Sequence, residues 1–78
     1  MKRFMVIERF KDGNGETVYD RFHREGRLLP QGLLYLNSWV SREKGICYQL
    51  METNRPELFD QWFARWSDLV DFELVPID

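Results

Sequence analysis

The chain has 78 residues, a net charge of −2 and a sequence pI of about 5.3, which makes one domain over residues 1–78 and excludes a second core. A single cysteine, Cys47, excludes an internal disulfide, and with a single histidine, His23, the chain falls short of zinc's usual four ligands, so no metal or cofactor is expected. Asp20 and Glu25 dilute the arginines at 21, 24 and 27, so no nucleic-acid partner is expected, and no segment approaches the ~20 apolar residues of a membrane span.

Phe4-Met5-Val6-Ile7 is a short apolar run with β-branched residues, ending near Phe10 before the turn residues Lys11-Asp12-Gly13-Asn14-Gly15. It predicts a buried central strand over 3–10. Residues 15–28 change to a helical period, with Val18, Phe22 and Leu29 on one stripe, Asp12 or Asn14 as the cap and Gly26 at the end. Residues 33–42 alternate as a second strand, with Leu34, Leu36, Ser38 and Val40 on one side and Leu33, Tyr35, Asn37 and Trp39 on the other. Glu43-Lys44-Gly45 predicts a hairpin into a third strand from Ile46 to Met51. Asn54 as N-cap, Pro56 in the first turn and Glu57 predict a helix over 55–69. Its apolar stripe is Leu58, Phe59, Trp62, Phe63, Trp66, Leu69 and Val70. Asp71 to Val75 predicts a last strand, with Phe72 and Leu74 inward and Pro76 as its stop.

The order βαββαβ predicts an α+β, ferredoxin-like fold, a four-stranded antiparallel sheet with two helices on one face. The other sheet face then needs a cover, because both parities of the strands carry large apolar groups. Three Trp, three Tyr and six Phe are also more than a lone domain this small readily hides. A homodimer, sheet against sheet, is the simplest closed arrangement. Glu8 and Arg9 interrupt any leader-like run after Met1-Lys2-Arg3, and with the lone thiol this makes the cytoplasm the expected location.

Several stretches carry a resemblance. They are Met5-Val6-Ile7-Glu8, Ser38-Trp39-Val40, Gln49-Leu50-Met51-Glu52-Thr53, Leu58-Phe59-Asp60 and the run from Arg65 to Glu73. Over nearly its whole length the chain resembles the domain-of-unknown-function family 3303. The resemblance implies the dimeric α/β-barrel form of the ferredoxin-like fold and no activity.

The first candidate site is the strand-2 trio Tyr35, Asn37 and Trp39, an amide between two aromatics that suits a small apolar or aromatic ligand between the sheets. Gln49, Cys47 and Met51 of strand 3, with Glu8 of strand 1 or Glu73 of the last strand, are candidates to join it. The competing reading is that these side chains fill a dimer interface. His23 is the one side chain whose ordinary pKa is near neutral, a candidate general base against a plain helix-surface histidine. Cys47 reads as a small buried hydrophobe. The Trp62/Trp66 pair reads as core, and Glu52, Asp68, Asp71 and Glu73 read as solvated carboxylates. The expected function is thus small-molecule binding. By analogy with other dimeric α/β barrels, the alternative is a cofactor-independent mono-oxygenase or isomerase. A protein-interaction domain is the third reading.

Overall fold

The structure, a computed structural model, describes residues 1–77. The strands are β1 (Lys2–Phe10), β2 (Leu34–Ser41), β3 (Ile46–Thr53) and β4 (Val70–Ile77), and the helices are α1 (Gly15–Glu25) and α2 (Leu58–Ala64). The strands form one antiparallel sheet in the order β2-β3-β1-β4. This is the expected ferredoxin-like arrangement, with the most apolar strand, β1, and its hairpin-fed neighbour, β3, in the middle.

Register assigns the faces. Phe4 stands opposite Met51, Val6 opposite Gln49 and Leu74, and Glu8 opposite Cys47 and Phe72. Alternate residues share a face, so these side chains form one row set under the helices. Phe4, Val6 and Met51 pack there with Val18 of α1 and with Leu58, Phe59 and Trp62 of α2. Both helices therefore lie on the same side of the sheet. Thr53, fully buried, closes one end: its hydroxyl donates to the Gly32 carbonyl at 2.8 Å and accepts from the Arg55 amide at 3.0 Å.

Several features differ from the sequence reading. Helix α1 stops at Glu25, because Gly26, its expected end, takes φ 72°, and Leu28 follows at φ 60°, so the helical period does not run on to residue 28. Nothing surrounds the site of a Gly26 side chain, so that glycine serves backbone conformation alone. Asn14 occupies the N-cap of α1, yet its side chain makes no capping bond, and no side chain caps α2. The helix expected over 55–69 is α only at its centre. Its ends tighten into turns: the Leu58 amide bonds Arg55, Phe59 bonds Pro56, and Trp66 bonds Phe63, each reaching back three residues. The apolar stripe survives this tightening, and Leu58, Phe59, Trp62 and Trp66 are all buried. Pro76 lies inside β4 opposite Phe4 instead of ending it, which an edge strand tolerates because one of its sides carries no ladder.

One more difference bears on function. Tyr35 pairs with Met51 and Asn37 pairs with Leu50, so Leu36 is an extra residue, a β-bulge. Tyr35, Ser38 and Val40 thereby face the helices, while Asn37 and Trp39 face the opposite side. The expected trio is divided.

The side away from the helices is apolar and uncovered. Leu34, Trp39, Tyr48 and Ile77 are exposed on it, Trp39 by 51%. Met5, Ile7, Leu50 and Val75 lie half-buried between them. The ion pairs Arg3–Glu52 (3.7 Å) and Arg9–Glu73 (3.0 Å) sit on this same face.

Candidate functional site

Burial of a strand row normally selects apolar side chains. Two residues under the helices break that rule, Glu8 of β1 and Gln49 of β3, each only 7% exposed. Gln49 Nε2 donates to Glu8 Oε2 at 2.5 Å. Gln49 Oε1 in turn accepts from Arg27 Nε at 3.5 Å. The Arg27 guanidinium lies 3.5 Å from the centroid of the Tyr35 ring and 5.0 Å from that of Phe22. The Tyr35 hydroxyl meets Ser38 Oγ at 2.6 Å. One polar row thus runs from Glu8 through Gln49, Arg27 and Tyr35 to Ser38, towards the β2 edge of the sheet.

Above this row is a cavity of about 110 Å³. Helix α1 contributes Val18, Tyr19 and Phe22, α2 and its C-terminal turn contribute Trp62 and Trp66, and the sheet contributes Glu8, Cys47, Gln49 and Phe72. An apolar cavity of 150 Å³ takes a benzene ring, so the space suits a body of about one ring. The segment after α1 is fastened to α2 at a single atom: the Arg27 carbonyl accepts from the indole N–H of Trp62 at 2.8 Å and of Trp66 at 2.9 Å. Arg21 adds a second fastening. Its guanidinium forks onto both oxygens of Asp68, at 2.9 and 2.6 Å, and donates to the Arg65 carbonyl. That pairing holds the Asp68 carboxyl below its ordinary range.

The Glu8 carboxyl is pushed up to about 7. Burial is the main cause, because a carboxylate loses its hydration there. The Arg27 charge and the Gln49 hydrogen bond pull the other way without winning. Glu8 Oε1 has no hydrogen-bond partner among the described residues, and no side-chain oxygen or nitrogen there is both sealed and unpartnered. Oε1 is therefore the oxygen left accessible at the cavity. The Cys47 thiol is pushed up to about 12, by burial first and by the Glu8 charge second. It stays protonated near neutrality and is no nucleophile.

The residues expected to share a site separate into two groups. Glu8 and Gln49 come together, and Tyr35 joins them through Arg27. Asn37 and Trp39 lie on the far face of the sheet, because the bulge at Leu36 reverses parity between Tyr35 and Asn37. Asn37 Oδ1 only accepts from the neighbouring Ser38 amide. Met51 is fully buried in the core and does not line the cavity. His23 is exposed on α1 beside the Phe22 ring, outside the cavity. Polar groups converge under the helices and not in front of the open face. Arg27 and Ser38 were not among the expected site residues. A charged residue between Gly26 and Leu28-Leu29 was the available signal for the first, and the bulge hid the second. Among the described residues no three His, Cys, Asp or Glu side chains gather as a metal site, and no helix is long and apolar enough to cross a membrane.

No curated protein matches the chain. Among solved structures, the L-rhamnose mutarotase of Formosa agariphila is similar, with a TM-score of 0.59, 13% identity and coverage of 100% of this chain and 94% of that one. At that identity the likeness shows the fold, the α+β sheet-and-helices layout of the mutarotase. A family model described as a domain of unknown function, DUF3303, matches residues 2–77. The chain, aligned with that model from the start of β1 to the end of β4, belongs to the DUF3303 family.

Proposed function

We propose that this domain binds a small ring-sized molecule between its sheet and helices and catalyses a proton-transfer isomerisation on it. The observation that carries this reading is Glu8, a carboxyl with one free oxygen at an apolar cavity and a pKa of about 7. A group half-protonated near neutral pH is suited to both giving and taking a proton. In the proposed cycle, protonated Glu8 donates to one atom of the ligand, and the resulting carboxylate recovers a proton from another. The ligand keeps its composition, and no electrons change hands. Gln49 holds the second carboxyl oxygen, so Oε1 is the transferring atom. The solved mutarotase is by its name an isomerase on this fold, which is compatible with the reading but does not carry it.

Two copies of the domain are proposed to pair through the open sheet face, in the reducing cytoplasm. Leu34, Trp39 and Tyr48 support this, since a monomer rarely leaves so continuous an apolar face in water. In that assembly each protomer keeps its own cavity, on the outer side of its sheet.

The test is an NMR titration of the Glu8 carboxyl, together with magnetisation-transfer NMR on a panel of small reducing sugars and ring-sized carbonyl compounds. The expected midpoint is near pH 7, and the expected exchange has a kcat/KM that is level below pH 7, falls above it and vanishes in Glu8→Gln. A carboxyl that titrates near pH 4.5 overturns the reading. So does binding with no exchange, which leaves a binding domain.

A further inference from the structure

Arg27 is held more firmly than a loop arginine needs. Gly26 and Leu28 on either side both have positive φ, 72° and 60°. For leucine that conformation is strained, and strain of this kind persists where surrounding structure enforces it. Here the enforcement is visible: two indole N–H groups fix the Arg27 carbonyl, and Arg65 Nη1 donates to the Leu28 carbonyl at 2.6 Å. The side chain is positioned too, on the Tyr35 ring, with Nε turned to Gln49.

What this fastening presents is a fork with nothing in it. Among the described residues, neither Nη group of Arg27 has a hydrogen-bond acceptor, and no carboxylate forms an ion pair with it. Glu8 is the nearest carboxyl along the row. It is joined to Arg27 only through Gln49, and near neutral pH it is half uncharged. A guanidinium with both Nη groups free, stacked on an aromatic ring at an apolar cavity, matches the geometry of a carboxylate. Beside it, protonated Glu8 adds a neutral donor.

We propose that the ligand of this cavity is a small monocarboxylate with an apolar body, its carboxylate on the Arg27 fork and its body under Phe22, Trp62 and Trp66. The proposal rests on the cavity reading above and narrows it to one substrate class. It carries a proton linkage. A bound anion beside Glu8 favours the protonated carboxyl, so affinity is level while Glu8 is protonated and falls as pH rises through about 7. The other groups facing Glu8 leave this sign unchanged. Cys47 of β3 remains a thiol, Arg27 is the cation, and α2 and β4 bring only Trp62, Trp66 and Phe72. Tyr19 of α1 completes the set.

The probes are benzoate and its uncharged isostere benzamide, titrated calorimetrically into the full chain at pH 6, 7 and 8. Benzoate is expected to bind at least about tenfold more tightly than benzamide at pH 6. It is expected to take up protons on binding at pH 7, shown by heats that change with the buffer, and to weaken by pH 8. Arg27→Met keeps the apolar stem on Tyr35 and is expected to erase the preference, while Arg27→Lys keeps the charge without the fork and falls between. Equal binding of both probes overturns the carboxylate proposal and leaves the cavity reading intact. Binding of neither overturns the proposal as well, and the separate Glu8 titration then judges the cavity reading. A benzoate preference that survives Arg27→Met in a protein that still melts cooperatively places the anion elsewhere and is equally fatal.

Discussion

Glu8 has two oxygens with different tasks, one tied to Gln49 and one free at the cavity. Its pKa, raised by burial to about 7 in the fold from an ordinary 4.5, has a thermodynamic consequence of definite sign. The folded protein holds the proton more tightly than the unfolded chain does. The contribution is therefore fully present below about pH 4.5 and is lost as pH rises through about 7. The total is about 3 kcal/mol. Urea unfolding of the wild type is expected to show that decline between those limits. Glu8→Gln keeps an acceptor for Gln49 without a charge, and is expected to flatten the profile and be the more stable protein at pH 8 by about 2–3 kcal/mol. A variant less stable than wild type at pH 8 contradicts this account. The sequence offered Glu8 or Glu73 for this place, and register alone separates them, with Glu8 under the helices and Glu73 on the open face. Arg27 was not legible: Gly26 announced the end of the helix, but nothing in the sequence says that the arginine after it turns inward over Tyr35.

The elements show where periodicity reads truly and where it fails. The α2 stripe was correct as a face and too long as a helix, since spacings of three and four residues serve an α-helix and its tightened turns alike. Strand β2 failed differently. Period-two alternation assumes one residue per ladder position, and the unpaired Leu36 breaks that assumption without changing composition. Deleting Leu36 is a direct check. The shortened strand would keep Tyr35, Ser38 and Val40 under the helices and Asn37 and Trp39 on the open face. Its melting temperature is expected to stay within about 8 °C of wild type. Deleting Leu50 from the central strand β3 has no bulge to absorb it. It turns either Gln49 or Met51 away from the helices and is expected to abolish cooperative melting.

At the scale of the molecule, the sheet divides two tasks. One face meets the helices and holds the buried polar row, and the other is a broad apolar surface with ion pairs on it. The element order and the paired apolar parities made that division legible in advance. They did not say which face held the polar convergence, because the row depends on cross-strand register between Glu8 and Gln49. Light scattering across a dilution series is expected to give a persistent dimer. Trp39→Asp, at the most exposed aromatic of the open face, is expected to raise the dimer dissociation constant at least about 30-fold. The same variant should leave the Glu8 titration where it was, because Trp39 and the cavity lie on opposite sides of the sheet. A dimer indifferent to that substitution would require another interface.

The positions of the three indoles also make the protein its own optical instrument. Trp39 stands half in water on the open face, whereas Trp62 and Trp66 share one carbonyl inside the opposite layer. A water-soluble collisional quencher meets the first and is kept from the other two, so the quenched fraction of the emission follows assembly. The unquenched remainder comes from beside the Glu8 cavity and follows occupancy and protonation. Two events on opposite sides of one sheet can be read in a single cuvette, with no label added.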